Sequence, residues 1–283
     1  MTKTSSLKWA LTLALGVSLT QAINPGIAHA ASDQLHEQIA GAWLIGKPVF
    51  ALREANGGEP PLKSAAAKIY QEHQAARIKG DTSFDSATWC ASLGMPRMLL
   101  VDYPFEIVVR PKQVVFLHQW NWWARIVYLP GALDRDPSAP PPPSGPPGAP
   151  PGGPPGAPPG GPPGAPPRGA AGEQEIGRTA TGFSRGKWEG DVLVIRTDHL
   201  TNQTLLDGAG MPHSAHLKLI ERIRVLGPDL LEDRIRIQDD ETFIHPWETV
   251  LTFKRQTGVS RDEDVCLDRI QAGEPAVRET VKE

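Results

Sequence analysis

Only two cysteines occur in the 283 residues, Cys90 and Cys266. They are too few for a structural zinc site, which takes four ligands. An excess of either charge is also missing. The 29 Lys and Arg stand against 32 Asp and Glu, for a formal net charge of −3, which excludes the electrostatic footprint of a nucleic-acid binder. No run of one sign suggests a basic patch for a polyanion or a membrane surface. Past residue 30 no apolar stretch reaches the roughly 20 residues a membrane span needs, so no stable membrane anchor is expected.

The N-terminus is a different matter. Lys3 and Lys8 precede an apolar run from Trp9 to Ile23, and Ala28-His29-Ala30 is a small-x-small cleavage site. This is the layout of a secretory signal peptide over residues 1–30, and it predicts a periplasmic or secreted protein. In an oxidising compartment disulfides persist, so Cys90 and Cys266 are expected to pair.

Residues 137–172 stand apart. Within them an octad, GPPGAPPG, is written three times from Gly145 to Arg168. Proline lacks the backbone donor that a ladder needs, so a disordered, polyproline-II-like insert is expected. Collagen is excluded, because the octad breaks the every-third-glycine register. A disulfide from Cys90 to Cys266 would join the segments on either side of the insert. One domain is therefore read over 31–136 and 173–270, with 271–283 as a flexible tail.

Strand patterns dominate that domain. Gly41 to Gly46 is a short strand, and Lys63 to Lys79 is the one helix, closed by Gly80. Phe105 to Val109 and Gln113 to Trp123 form a hairpin, and Glu189-Gly190-Asp191 turns a second one. Leu217 to Leu226, Leu230 to Gln238 and Trp247 to Lys254 alternate as a meander with one wet side. Glu221 falls in phase with Leu219 and Ile223, and Asp233 with Leu231 and Ile235. Eight or so hairpin-linked strands predict an all-β fold, an antiparallel barrel that removes its own edges.

Several phrases resemble a widespread group of exported bacterial proteins. They are Phe84-Asp85, Trp89-Cys90, Gly94-Met95-Pro96-Arg97, Tyr103-Pro104-Phe105-Glu106, Gly186 to Val194, Asp207 to Ser214, Glu221-Arg222 and Pro246-Trp247. The resemblance spans roughly Gly57 to Cys266 apart from the insert, and it implies export without implying a chemistry. Where that group carries Asp-Gly-Arg-x-His-Pro, this chain has Leu129-Pro130-Gly131 and then the insert. A second resemblance is to lipocalin-like barrels. These open on Gly-x-Trp, here Gly41-Ala42-Trp43, and often cover that Trp with a base from the last strand, here Lys254 or Arg255.

The candidate ligand-binding residues are Glu221, Asp233, His118, Trp120, Trp122 and His213. A buried carboxylate is costly unless paired or protonated, so Glu221 and Asp233 are either structural, paired for example with Arg196 or Arg125, or members of a site. Phe116, His118, Trp120 and Trp122 alternate onto one face, as a barrel core or an organic-ligand pocket would use them. His213 and His216, with His199 upstream, are read as a hydrogen-bonding loop in preference to a metal site. Gly182-Phe183-Ser184-Arg185-Gly186 matches G-x-S-x-G but lacks the following helix of a hydrolase elbow. No metal or cofactor is called for. The expected function is binding of a small apolar or aromatic molecule. The alternatives are a cofactor-free isomerase or lyase, with Glu221 and His118 or His213 as acid and base, and a structural or assembly role.

Overall fold

The computed structural model describes residues 36–133, 177–258 and 264–278. The segment read as a signal peptide and the Pro/Gly insert lie outside the described residues. Nine strands close into one barrel in chain order. They are β1 (Gly41–Ile45), β2 (Phe105–Arg110), β3 (Gln113–His118), β4 (Ala124–Tyr128), β5 (Phe183–Glu189), β6 (Val192–Asp198), β7 (Lys218–Gly227), β8 (Leu230–Gln238) and β9 (Trp247–Gln256). Among the described residues the helices α1 (Ser64–Ile78) and α2 (Cys266–Gln271) accompany them.

The sheet is mixed, which corrects the expectation of a wholly antiparallel barrel. β4 and β5 run parallel and share only the pairs Val127–Ser184 and Tyr128–Arg185. Parallel neighbours need a crossover connection. The chain leaves the barrel at Leu133, beyond the end of β4, and returns at Gly177, ahead of the start of β5. This two-pair junction is the thinnest part of the wall.

The expected alternation sets the lumen. Leu219, Ile223, Leu231, Ile235, Ile237, Leu251 and Phe253 are all buried, and each fully buried aliphatic or Phe side chain contributes roughly 1.5–3 kcal/mol. Trp43 is completely buried and donates its Nε1–H to Ile39 O at 2.8 Å. The Arg255 guanidinium lies over its ring at 4.2 Å. Arg255 therefore makes the contact expected of either Lys254 or Arg255. The preceding glycine is required there: Gly41 has φ +116, and a Cβ would sit 2.8 Å from Arg255 Nη1.

Between β1 and β2 the chain builds a cap over the barrel end where β2 begins. α1 buries Ala66 and Tyr70 but leaves Ile69 exposed. It packs on the 207–211 loop through Tyr70 and His73. Cys90 and Cys266 are disulfide-bonded with Cα atoms 5.6 Å apart. The segment after β9 does not behave wholly as a flexible tail. Trp120 Nε1 donates to Ala276 O at 2.9 Å, Arg269 donates to Pro275 O, and Arg278 pairs with Asp264.

Candidate functional site

β3 stops at His118, five residues before the expected end of that strand. Asn121 and Trp122 then take left-handed backbone angles, φ 51 and 54, and the turn starts a separate strand, β4. This break changes which residues face inward. Arg125 pairs across the strands with Phe116 and enters the lumen on the same face as Phe116. A continuous strand through Trp123 would have put it on the other side.

Arg125 is the hub of the interior. Its Nη1 donates to Glu221 Oε1 at 2.8 Å, and Nη2 donates to Glu221 Oε2 and to Thr197 Oγ1, the latter at 2.7 Å. Its Nε donates to Ser184 Oγ at 3.0 Å, and Ser184 and Thr197 hydroxyls bond each other at 2.9 Å. One guanidinium on β4 thus ties β5, β6 and β7 together behind the thin parallel junction. Glu221, expected either to pair or to serve a site, is fully buried and paired with Arg125. Arg196 is exposed on the outer face. Ser184, the G-x-S-x-G serine, is a mid-strand member of this network and not a nucleophile on an elbow.

Asp233 is the unsatisfied member. It is buried, and neither oxygen makes a well-formed hydrogen bond among the described residues, although the Glu221 carboxylate and the Arg222 backbone lie close enough to act on it. Burial first, and then the neighbouring Glu221 carboxylate, hold its pKa well above the ordinary carboxylate range. Burial and the adjacent Glu221 carboxylate thus both favour its protonated form. His118 is buried, with Nε2 unpartnered. Burial, helped by the Arg125 charge, pushes its pKa down to about 3, so the imidazole is neutral. Trp247 Nε1, on the inward face of β9, is likewise unpartnered. The lumen therefore holds the Arg125–Glu221 ion pair with Asp233 beside it; His118 packs against Phe105, which also contacts Phe116 and Phe253, and Trp247 packs against Phe243. From sequence Arg125 was only one possible partner of the inward carboxylates, and Trp247 was not a candidate. The Pro246-Trp247 phrase was the available signal for the second, but nothing local predicts the reversal that turns Arg125 inward.

Three expected site residues lie elsewhere. Trp120 is buried under the C-terminal segment, bridged to Asp264 and bonded to Ala276. Trp122 is 48 % exposed and shares only a crevice of about 20 Å³ with His118, Phe105 and Pro104. His213 belongs to the cap: Nε2 bonds Thr204 Oγ1 at 3.0 Å and Nδ1 bonds Ser214 O at 2.9 Å. With both nitrogens engaged it is not placed as an acid or base. His199 and His216 pair separately with Asp198 and Glu241.

Two of the acidic residues in the quoted phrases, Asp85 and Asp207, fasten the cap. Asp85 accepts from both Arg97 and Arg77 at 2.8 Å, and these cations hold its pKa below the usual range against its burial. Asp207 accepts from Leu52 N, Met211 N and Tyr70 Oη. Burial nonetheless raises its pKa.

The outer wall gathers cations by alternation, and most of them are paired with acids, two of them with Glu248 on β9. The outward positions of β5–β8 carry Arg185, Lys187, Arg196, Lys218, Arg222, Arg224, Arg234 and Arg236 against Glu189, Asp198 and Glu232. Two arginine pairs stand directly opposite each other, Arg185–Arg196 and Arg222–Arg234. Among the described residues no three His, Cys, Asp or Glu side chains gather as a metal site, and no helix is long and apolar enough to cross a membrane.

No known protein family, no curated protein and no solved structure matches this chain. The barrel with its aromatic lumen and internal polar network defines the class as one compatible with small-molecule binding or catalysis.

Proposed function

We propose that the protein binds a small, mainly apolar or aromatic molecule in the upper lumen, and that the ligand carries one uncharged polar group. The observation that carries this reading is Asp233, a buried carboxyl whose oxygens make no well-formed hydrogen bond and which lies beside the Glu221–Arg125 ion pair. A buried polar group left unpaired costs about 1–3 kcal/mol, and a barrel needing only a core would fill the position with an aliphatic side chain. A neutral acid and a neutral imidazole suit a carbonyl, hydroxyl or amide, and the surrounding phenylalanines suit an apolar body. The Arg255-covered Trp43 adds support for a lipocalin-like barrel. The N-terminal segment, together with the motifs shared with exported proteins, supports a site of action outside the cytoplasm. A catalytic version of the reading places the acid at Asp233, since Glu221 is saturated by Arg125.

The test is intrinsic tryptophan fluorescence titrated with uncharged aromatics such as indole, phenol and benzamide. Saturable quenching is expected, and Asp233→Leu should abolish it while leaving the thermal midpoint equal or higher. Absence of saturation across the panel, or unchanged affinity in a folded Asp233→Leu variant, overturns the reading.

A further inference from the structure

A cleft of about 360 Å³ opens on the outside of the barrel, away from the lumen. It is walled by Tyr128, Leu129, Pro130, Val194 and the cations Arg185, Lys187 and Arg196. We infer that this cleft is a second binding site and that it takes an amphipathic organic anion, a carboxylate or sulfonate on an aryl or short alkyl body.

Three observations support this. The floor is apolar where the strand pattern calls for a wet residue. Val194 points outward on β6 yet is 2 % exposed, and Leu129 is 7 % exposed. Its rim is cationic beyond what the protein neutralises. Arg185 pairs with Asp198 and Lys187 with Glu189, whereas Arg196 has no acid partner among the described residues. Finally, Arg185 and Arg196 are direct cross-strand neighbours, and like charges so placed are unfavourable. A bound anion between them relieves that repulsion, and guanidinium groups grip carboxylates and sulfonates through paired N–H donors. The volume lies in the range of small-molecule sites. The surplus of cations on the β5–β8 wall draws anions toward it although the whole chain is acidic.

The test is calorimetric titration of the full-length protein with 2-naphthoate, 2-naphthamide and inorganic phosphate at low salt. Naphthoate is expected to bind at least tenfold more tightly than either naphthamide or phosphate, and to weaken as salt rises. Arg196→Gln, an exposed change that leaves the lumen intact, should lose most of this affinity. Asp233→Leu should keep it, which separates this site from the luminal one. No naphthoate binding, equal affinity for phosphate, or unchanged affinity in Arg196→Gln overturns the inference.

Discussion

Arginine cannot shed its proton, so Arg125 remains a buried cation whatever happens around it. Glu221 neutralises it, and Asp233 is the other carboxyl that the Arg125 charge reaches. Replacing both, Glu221→Gln with Asp233→Asn, leaves that cation with no anion. Breaking a buried pair from one side costs about 3–5 kcal/mol. At 2–4 °C per kcal/mol for a domain of this size, the midpoint should fall by about 6–20 °C. The single Glu221→Gln change should cost less, because Asp233 can ionise and take over the pairing. The pH response should then reverse. In the wild type Asp233 has a raised pKa, so its contribution to stability falls as pH rises above its unfolded value of about 3.9. In Glu221→Gln the pairing lowers that pKa, and the contribution is lost as pH falls instead. Thermal melts by near-ultraviolet circular dichroism from pH 4 to 8 would show both effects. A double variant melting within 2 °C of wild type, or a Glu221→Gln slope no more positive with pH than the wild-type slope (the His118 contribution being common to both), would refute the account of Arg125 as the charge that organises the lumen.

His118 should make the protein acid-sensitive. Its folded pKa is about 3, so the stability of the neutral buried ring is full above the unfolded value of 6.5. It is lost at about 1.4 kcal/mol per pH unit as pH falls toward 3. Chemical denaturation at pH 7 and pH 5 should show wild type losing about 2 kcal/mol more than His118→Phe, and equal losses would contradict this. The disulfide closes a loop with a sequence separation of 176, so Cys90→Ser with Cys266→Ser should cost about 2–5 kcal/mol in urea unfolding; an unchanged midpoint would show that the cap holds without it. Gly41→Ala should destabilise by about 1–3 kcal/mol, and Gly41→Ala with Arg255→Ala should recover part of that loss. A neutral Gly41→Ala would mean that Arg255 moves freely.

The division between what was legible in the sequence and what was not follows the range of the interactions. Alternation in β7, β8 and β9 showed that Glu221 and Asp233 face inward, because a strand's side-chain period is two and involves no partner. The Gly41-Ala42-Trp43 phrase and the two cysteines were similarly readable, each being a short pattern with one dominant physical meaning. The position of Arg125 depended instead on a turn at Asn121–Trp122, whose left-handed backbone Asn tolerates but Trp rarely adopts and which carries no glycine to announce it. Trp120 and His213 were recognisable as buried-type residues, but their burial partners are Ala276 and Thr204, contacts that exist only after the C-terminal segment and the cap have folded onto the barrel. The basic wall was invisible for the same reason. Its cations are spread singly along four strands, and only the register across those strands brings them together. Local periodicity therefore determined the strands, the inward carboxylates and the barrel class. Tertiary pairing decided which carboxylate is paired with Arg125, which has its pKa raised beside that pair and where the outward cations meet, because each of those depends on groups distant in the chain.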